Sequence, residues 1–163
     1  MRYEKLIIAT SLVASLLAST IAQAKGGLGE VFGGLIGKAV GGTAGKAVAS
    51  PESVEAALRK MSEQLNASMP MTIDKDTRLD NIFAGPGARF TYNYTIITAK
   101  SVQVNRAALL QHLQSNLRAG VCSNPDMQIF FKNKVTVGYS YRASDGVFVA
   151  RIDIAPRDCG YAA

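Results

Sequence analysis

Apolar and polar residues alternate along several stretches of the chain, and each such stretch predicts a β-strand. The clearest is 89–99, in which Phe90, Tyr92, Tyr94 and Ile96 alternate with threonine and asparagine. A period of two places neighbouring side chains on opposite faces of a strand, so this strand is expected to be half buried. The aromatic row favours core and cross-strand packing over the other interpretation, a platform for a ligand.

The same alternation returns twice near the C-terminus and predicts a β-hairpin. Residues 135–142 and 148–154 alternate, and Ser144-Asp145-Gly146 lies between them. An Asp-Gly pair between two alternating runs is a strong hairpin signal. Two further short strands are expected at 71–74 and 77–83, because turn-forming residues border both segments.

Two other stretches have apolar residues three or four positions apart, which predicts amphipathic helices. The first is 51–66, with Ser50 as its N-cap and Pro51 at the first helical position. The second is 104–119, and Gly120 is expected to end it.

A short third helix is predicted to begin at Pro125, with Asn124 as its N-cap. The order of these elements predicts an α+β fold, in which a small antiparallel sheet is packed by two main helices. This order resembles cystatin-like and similar small α+β folds. We expect the domain to occupy residues 51–163.

Upstream of this domain, small residues recur every fourth position. They are Gly29, Gly33, Gly37, Gly41, Gly45 and Ala49. On a helix these positions share one face, where the absence of side chains lets another backbone approach closely. In water each interior glycine costs about 1 kcal/mol of helix stability, so a flexible linker is the alternative interpretation.

We therefore predict a glycine-zipper segment at residues 25–50, helical or disordered, with that row as its association face. It resembles the glycine-zipper segments of bacterial envelope proteins, which implies association with a membrane or with another copy of the chain. Glu30, Lys38 and Lys46 argue against a simple lipid-exposed span, because a central charge costs about 2.5–3.5 kcal/mol on insertion scales.

The first 24 residues predict a secretory signal peptide. Arg2 and Lys5 precede an apolar run at 6–21, and Ala22-Gln23-Ala24 forms a cleavage site. An uncleaved anchor helix is the alternative. Export from a bacterial cell is expected, to the periplasm or the outer envelope.

The formal net charge is +6, which favours acidic surfaces such as anionic lipid headgroups. The basic residues are scattered and form no run rich in Lys or Arg, so no nucleic-acid partner is expected.

Cys122 and Cys159 are the two cysteines of the chain. In an exported protein an even count favours one internal disulfide, here worth roughly 4 kcal/mol in the chain-entropy model. A redox or metal pair and an intermolecular bond are the alternatives, but the two residues are not spaced as C-x-x-C.

No recognised catalytic motif is present, and no catalytic residue, metal ligand or cofactor is predicted. His112 is the only histidine, and we interpret it as an ordinary helix residue. Asp74, Asp76 and Asp80 could hold a cation weakly, but their spacing does not match an EF-hand, and solvated turn residues are the preferred interpretation.

Several short motifs resemble a group of small exported bacterial proteins of unknown function. They are Thr77-Arg78-Leu79, Tyr92-x-Tyr94, Cys122 and Val137-x-Tyr139-x-Tyr141. The resemblance implies a periplasmic setting and carries no known catalytic residue.

The leading hypothesis is a non-enzymatic envelope protein. It would associate with a membrane surface, an envelope protein or itself through residues 29–49 and bind a partner through its α+β domain. The alternative is a soluble periplasmic binding or inhibitor module, immunity-like or chaperone-like, with a flexible Gly-rich tether. An enzyme with an unrecognised site is the third hypothesis.

Overall fold

The structure is a computed structural model that describes residues 50–162, and its α+β fold confirms the predicted fold class. The helices of this part are α1 (Pro51–Asn66), α2 (Arg106–His112), α3 (Arg118–Ser123) and α4 (Pro125–Lys132). A π-helical turn, Leu113–Leu117, joins α2 to α3. The strands are β1 (Met71–Thr72), β2 (Thr77–Gly85), β3 (Arg89–Ile96), β4 (Thr136–Ala143) and β5 (Phe148–Ile154). Two 3₁₀ helices lie at Ser101–Gln103 and Pro156–Cys159.

Within the described residues the strands form one sheet in the order β1-β2-β3-β4-β5. β3 and β4 run parallel, with Tyr92 beside Tyr139, and the other neighbouring pairs are antiparallel. The expectation of a purely antiparallel sheet is therefore wrong at this pair. The chain leaves β3 at Ile96 and enters β4 at Thr136, which lies beside Arg89 at the start of β3. It must therefore cross the length of the sheet, and the helices between the two strands form the long crossover that a parallel pair requires.

Helix α1 has the bounds that the sequence predicts, because its start is specified locally. The Ser50 hydroxyl accepts a hydrogen bond from the Ser53 N–H at 3.3 Å, and Pro51 occupies the first helical position. Leu58 and Met61 on the inner side of the helix are fully buried.

The second helix runs past Gly120 to Ser123, so the predicted stop at Gly120 is wrong. Leu117 and Val121 on either side of this glycine are buried, and their packing offsets the roughly 1 kcal/mol that an interior glycine costs. The helix ends where Asn124, the residue before Pro125, adopts an extended conformation. Asn124 then accepts a hydrogen bond from the Asp126 N–H at 2.9 Å and caps α4, as predicted.

The helices pack on one face of the sheet, where the core lies. Phe90 of β3 contacts Phe130 of α4, with ring centroids 5.4 Å apart. Both side chains are fully buried. The aromatic row of β3 belongs to this core, which confirms the packing interpretation of its alternation.

The predicted signal peptide at 1–24 and the predicted association face from Gly29 to Ala49 lie outside the described residues. They remain predictions. The described part of the chain starts at Ser50, the exposed N-cap of α1, and its fully buried apolar residues lie between Val54 and Ile154.

Candidate interaction surfaces

One face of the sheet has no helix on it in the part of the chain that the structure describes, and we call it the outer face. Strand alternation places Asn81 and Phe83 of β2 and Asn93 of β3 on this face, opposite the buried row. Phe83 has an exposed fraction of 60%, high for an aromatic side chain within a sheet. Most other side chains here are polar, which is typical of a solvated sheet face.

An ion pair lies on the outer face within β5, and its arginine reaches towards β3. Arg151 of β5 donates to both carboxylate oxygens of Asp153, with the shortest distance 2.7 Å, and approaches the Thr91 hydroxyl at 3.5 Å. These hydrogen bonds to Asp153 raise the pKa of the Arg151 guanidinium. Arg89 adds a second, longer contact to Asp153 at 3.9 Å.

Gly138 of β4 has no side chain and leaves room for Thr91, Arg151 and Asp153, which we call the outer-face cluster. A Cβ atom at that position would lie 2.8 Å from Asp153 Oδ1, 2.9 Å from Thr91 Oγ1 and 3.0 Å from Arg151 Nη2. A glycine inside a strand often marks a close approach of this kind.

A second polar group lies where β2 and β3 pair. Asp80 accepts hydrogen bonds from Arg78 Nε at 2.6 Å and from the Thr95 hydroxyl. Asn93 donates its side-chain N–H to Asn81 Oδ1 at 2.8 Å. These contacts fix side chains along the outer face. The strands place four arginines and two aspartates on this face, which gives it a formal charge of +2. Its charged residues are Arg78, Asp80, Arg89, Arg142, Arg151 and Asp153.

Four stacked tyrosines lie on the covered face of β3 and β4. They are Tyr92, Tyr94, Tyr139 and Tyr141, with centroid distances from 5.1 Å to 6.4 Å between neighbours. Burial raises the pKa of all four hydroxyls well above the ordinary value for tyrosine. They are neutral, tightly packed core residues at physiological pH.

The three aspartates near β1 and β2 have structural roles. Asp74 Oδ1 accepts from the N–H groups of Asp76 and Thr77, at 2.7 Å and 2.8 Å, and so closes the turn before β2. Asp76 accepts from the Thr98 hydroxyl at 3.0 Å. Within residues 50–162, no group of three or more His, Cys, Asp or Glu side chains is arranged to hold a metal ion.

His112 lies at the last position of α2, next to the π-helical turn. Its Nδ1 is 3.0 Å from the side-chain nitrogen of Asn116, one turn further along the helix. Its Nε2 is buried and has no hydrogen-bond partner among the described residues. No described carboxylate or cysteine forms a hydrogen bond to the ring.

Cys122 and Cys159 form the predicted disulfide, with their Cα atoms 5.1 Å apart. It joins the end of α3 to the C-terminal 3₁₀ helix. Arg118 strengthens the same junction, since its guanidinium donates to the Asp158 carbonyl at 3.0 Å and lies 3.3 Å from the Asp158 carboxylate. The presence of two cysteines in an exported chain was enough to predict this disulfide, whereas their spacing did not predict which elements it joins.

Four exposed apolar residues lie in or next to the two segments that follow β3 and β4 at one end of the sheet, and we call this end the apolar tip. Its members are Ile97, Val102, Val147 and Phe148, with exposed fractions of 37%, 90%, 44% and 47%. Asp145 in the β4–β5 turn accepts hydrogen bonds from the Ser101 N–H and hydroxyl, at 3.0 Å and 2.8 Å. These bonds lower the pKa of the Asp145 carboxyl.

Sequence analysis did not identify the outer-face cluster or the apolar tip as surfaces. Arg151 and Asp153 occupy alternate positions of β5, which signals a polar face but does not reveal that Arg151 pairs with Asp153 and reaches over Gly138 to the Thr91 hydroxyl. The tip joins residues more than forty positions apart, so it exists only in the folded chain.

No helix within residues 50–162 combines the length and the apolar character needed to cross a membrane.

Comparison with solved structures shows that the fold is shared with three bacterial proteins. One is PA3611 of Pseudomonas aeruginosa, a protein predicted to be secreted, with a TM-score of 0.56 and 15% identity over 69% of this chain and 98% of that one. The second is EpsS, the pilotin of the type 2 secretion system of Vibrio vulnificus, with a TM-score of 0.53 and 13% identity over 67% and 94%. The third is AspS, a type II secretion system pilotin of Vibrio cholerae, with a TM-score of 0.51 and 16% identity over 67% and 94%.

At these identities the likeness concerns the fold alone. No curated protein matches the chain significantly in sequence. Residues 53–147, from α1 to the β4–β5 turn, match the family described as "Domain of unknown function (DUF8479)". This is more than half of the chain, which therefore belongs to that family.

Proposed function

We propose that this protein is an exported, non-enzymatic protein of the bacterial envelope. Residues 25–50 associate with a membrane or with a second copy of the chain, and the α+β domain binds a partner. The observation that carries the proposal is the Cys122–Cys159 disulfide, because such bonds persist in oxidising compartments such as the periplasm.

The positions of the polar side chains support a binding role over a catalytic one. Asp74 closes a turn, Asp80 ties β2 to β3, and Asp153 holds Arg151 on the outer face. Each of these carboxylates accepts hydrogen bonds from neighbouring groups of the domain, and of their oxygens only Oδ2 of Asp74 is buried without a partner among the described residues. The two pilotins of the same fold belong to type II secretion systems, which supports a partner in the envelope for this domain as well.

Fractionation of the processed protein tests this proposal. The intact protein is expected in the membrane fraction or as an oligomer, with a mass that corresponds to a start at Lys25. A protein that lacks residues 26–49 is expected to be soluble and monomeric. Replacement of Gly37 and Gly41 by leucine should have the same effect as the deletion, because it fills the association face.

The matched control replaces Ala39 and Ala44, which lie off the glycine row, by leucine. This change adds a similar apolar volume and should leave the association intact. If intact protein and deletion are both soluble monomers, the segment is a tether, and the soluble binding module becomes the better hypothesis. An unprocessed protein in the cytoplasm would contradict export.

A further inference from the structure

Strand β5 forms one edge of the sheet, and no strand among residues 50–162 pairs with its outward side. The other edge is closed, because β1 and the side chain of Asn66 both bond to β2. Outside β4, no described residue forms a hydrogen bond with the backbone of β5. Buried backbone groups are almost always bonded, so the outward N–H and C=O groups of β5 are open to a further strand.

The sequence of β5 suits the addition of a strand. Between Phe148 and Ile154 it contains no proline, lysine or glycine, the residues that commonly interrupt or protect an edge. The irregularity in its pairing with β4 affects only the residues next to Phe148. The stretch from Ala150 to Ile154 is therefore a regular edge.

The two charged residues of β5 make this edge complementary to a second copy of itself. Arg151 and Asp153 lie on either side of Ile152 and point to the outer face. When two copies pair antiparallel across a two-fold axis at Ile152, each Arg151 lies directly opposite the partner's Asp153. A two-fold axis at Arg151 or at Asp153 places like charges directly opposite each other instead, which is destabilising. Charge therefore selects the register centred on Ile152.

Ile152 itself favours a neighbour at this position. It lies on the covered face with Ala150 and Ile154, which are fully buried, whereas Ile152 is only partly buried. In the register centred on Ile152, the two copies of this side chain face each other, since directly opposite Cβ atoms on paired strands lie about 4.5–5.5 Å apart. Pairing therefore removes further apolar surface from water.

The helix next to this edge presents an uncharged surface. Helix α2 packs against β5, and segment 107–117, which includes the π-helical turn, contains no Asp, Glu, Lys or Arg. Ala107, Gln111 and Gln114 of this segment are exposed. Charged residues are depleted at the centre of protein interfaces. Paired strands lie about 4.7–4.9 Å apart, closer than the roughly 8–10 Å between packed helices, so pairing of β5 with its copy brings the two copies of α2 into contact.

We propose that β5 is a dimerisation edge, at which two copies of the protein join their sheets in the register centred on Ile152. A strand of another protein could form the same backbone bonds, but the charge pattern specifically favours a second copy. The edge does not depend on the role of residues 25–50.

The size of this interface predicts a weak dimer. The seven residues of β5 and the eleven of segment 107–117 fall short of the roughly 20–30 residues per side of a standard interface. The dimer therefore forms at high protein concentration and separates at the dilution of a fractionation experiment. A shared membrane or a paired glycine row raises the effective concentration of the two copies and favours the dimer.

Charge substitutions on β5 test the register. We would measure the dimer dissociation constant by sedimentation equilibrium in the processed protein with Gly37 and Gly41 replaced by leucine, which removes association through the glycine row. Arg151→Asp and Asp153→Arg each bring like charges together at two positions, and each is expected to weaken the dimer roughly tenfold. An equal mixture of these two variants restores opposite charges at both positions and should associate as tightly as the protein with both native charges.

The double variant with Arg151→Asp and Asp153→Arg is the control for folding, because it keeps the ion pair within each copy and both pairs between copies. It should dimerise like the protein with the native charges. Gln111→Glu on α2 leaves β5 unchanged and should weaken the dimer about threefold, since the two facing helices then carry like charges. Gln64→Glu on the exposed side of α1 is its matched control and should have no effect.

A protein that stays monomeric at millimolar concentration would overturn the proposal. Equal dimerisation by all the β5 variants would also overturn it, as would a mixture that associates no better than either variant alone. Self-association that requires Gly37 and Gly41 at every concentration would contradict a dimer through β5, while it would support the role proposed for residues 25–50.

Discussion

Asn66 and Ile82 exchange two hydrogen bonds. The side-chain N–H of Asn66 donates to the Ile82 carbonyl, and the Ile82 N–H donates to Asn66 Oδ1, each at 2.7 Å. β1 pairs only with Arg78 and Leu79 of β2, so it leaves the rest of that edge without a neighbouring strand. Asn66, the last residue of α1, lies against this edge at Ile82. The amide side chain replaces a neighbouring strand and satisfies backbone groups that would otherwise be open at an edge.

Replacement of Asn66 by alanine is expected to lower the free energy of unfolding by about 2 kcal/mol, since two hydrogen bonds of about 1 kcal/mol each are lost. Urea denaturation measures the change. Gln64→Ala on the exposed side of the same helix is the control, with an expected change within about 0.5 kcal/mol. Equal effects of the two substitutions would show that the Asn66 contacts do not stabilise the domain.

Gly138→Ala is expected to destabilise the domain by about 1–2 kcal/mol, because the new methyl group displaces the side chains that lie over this glycine. Thermal unfolding measures the loss. The same substitution in an Asp153→Ala background should cost less, since the nearest of the three contacts is then absent. If Gly138→Ala destabilises the domain equally in that background, the new methyl group does not clash with the Asp153 side chain.

Alkaline pH is expected to unfold the domain through the tyrosine cluster. An unfolded tyrosine has a pKa near 10, and the folded values are higher, so above about pH 10 the unfolded chain loses protons that the folded chain keeps. This contribution to stability is fully present below that pH. Above it, the contribution falls by up to about 1.4 kcal/mol per pH unit for each buried tyrosine. Urea denaturation between about pH 8 and 11 measures the slope, and tyrosinate absorbance measures the ionisation.

Tyr92→Phe tests the same argument at one position. The Tyr92 hydroxyl is buried and has no partner among the described residues, so its removal should raise the free energy of unfolding at neutral pH by about 1 kcal/mol. The variant should also lose stability less steeply above about pH 10, since one buried ionisable group is gone. A loss of stability at neutral pH would mean that the hydroxyl is satisfied in the folded protein.

Removal of the disulfide is expected to destabilise the protein by about 4 kcal/mol, from the entropy of the loop between Cys122 and Cys159. The double variant with serine at both positions should match the reduced wild-type protein in urea denaturation. Reductant should have no effect on the double variant. If reductant leaves the wild-type midpoint unchanged, the bond does not stabilise the fold.

Much of the local structure could be predicted from the sequence, because the signals that define it act over a few residues. Ser50 and Pro51 specify the start of α1 through a cap and a preset φ angle. The Asp145-Gly146 turn specifies the hairpin of β4 and β5 in the same way. Gly120 gave a wrong prediction because glycine often, but not always, ends a helix. Here the buried residues Leu117 and Val121 stabilise the helix past this glycine.

By itself, the sequence determined where most of the helices and strands lie and which face of β3 is buried, and it favoured a bond between Cys122 and Cys159. Caps, turns and side-chain periods encode these features within a short stretch of chain. Only the tertiary structure decided that β3 lies parallel to β4, that Asn66 closes the edge of β2, and that Val102 lies beside the β4–β5 turn. Alternation with a period of two predicts which face of the sheet each side chain lies on. It does not predict which strand is the neighbour, or whether the two strands run parallel or antiparallel. Those depend on how the crossover helices pack, and such contacts form between residues far apart in the chain.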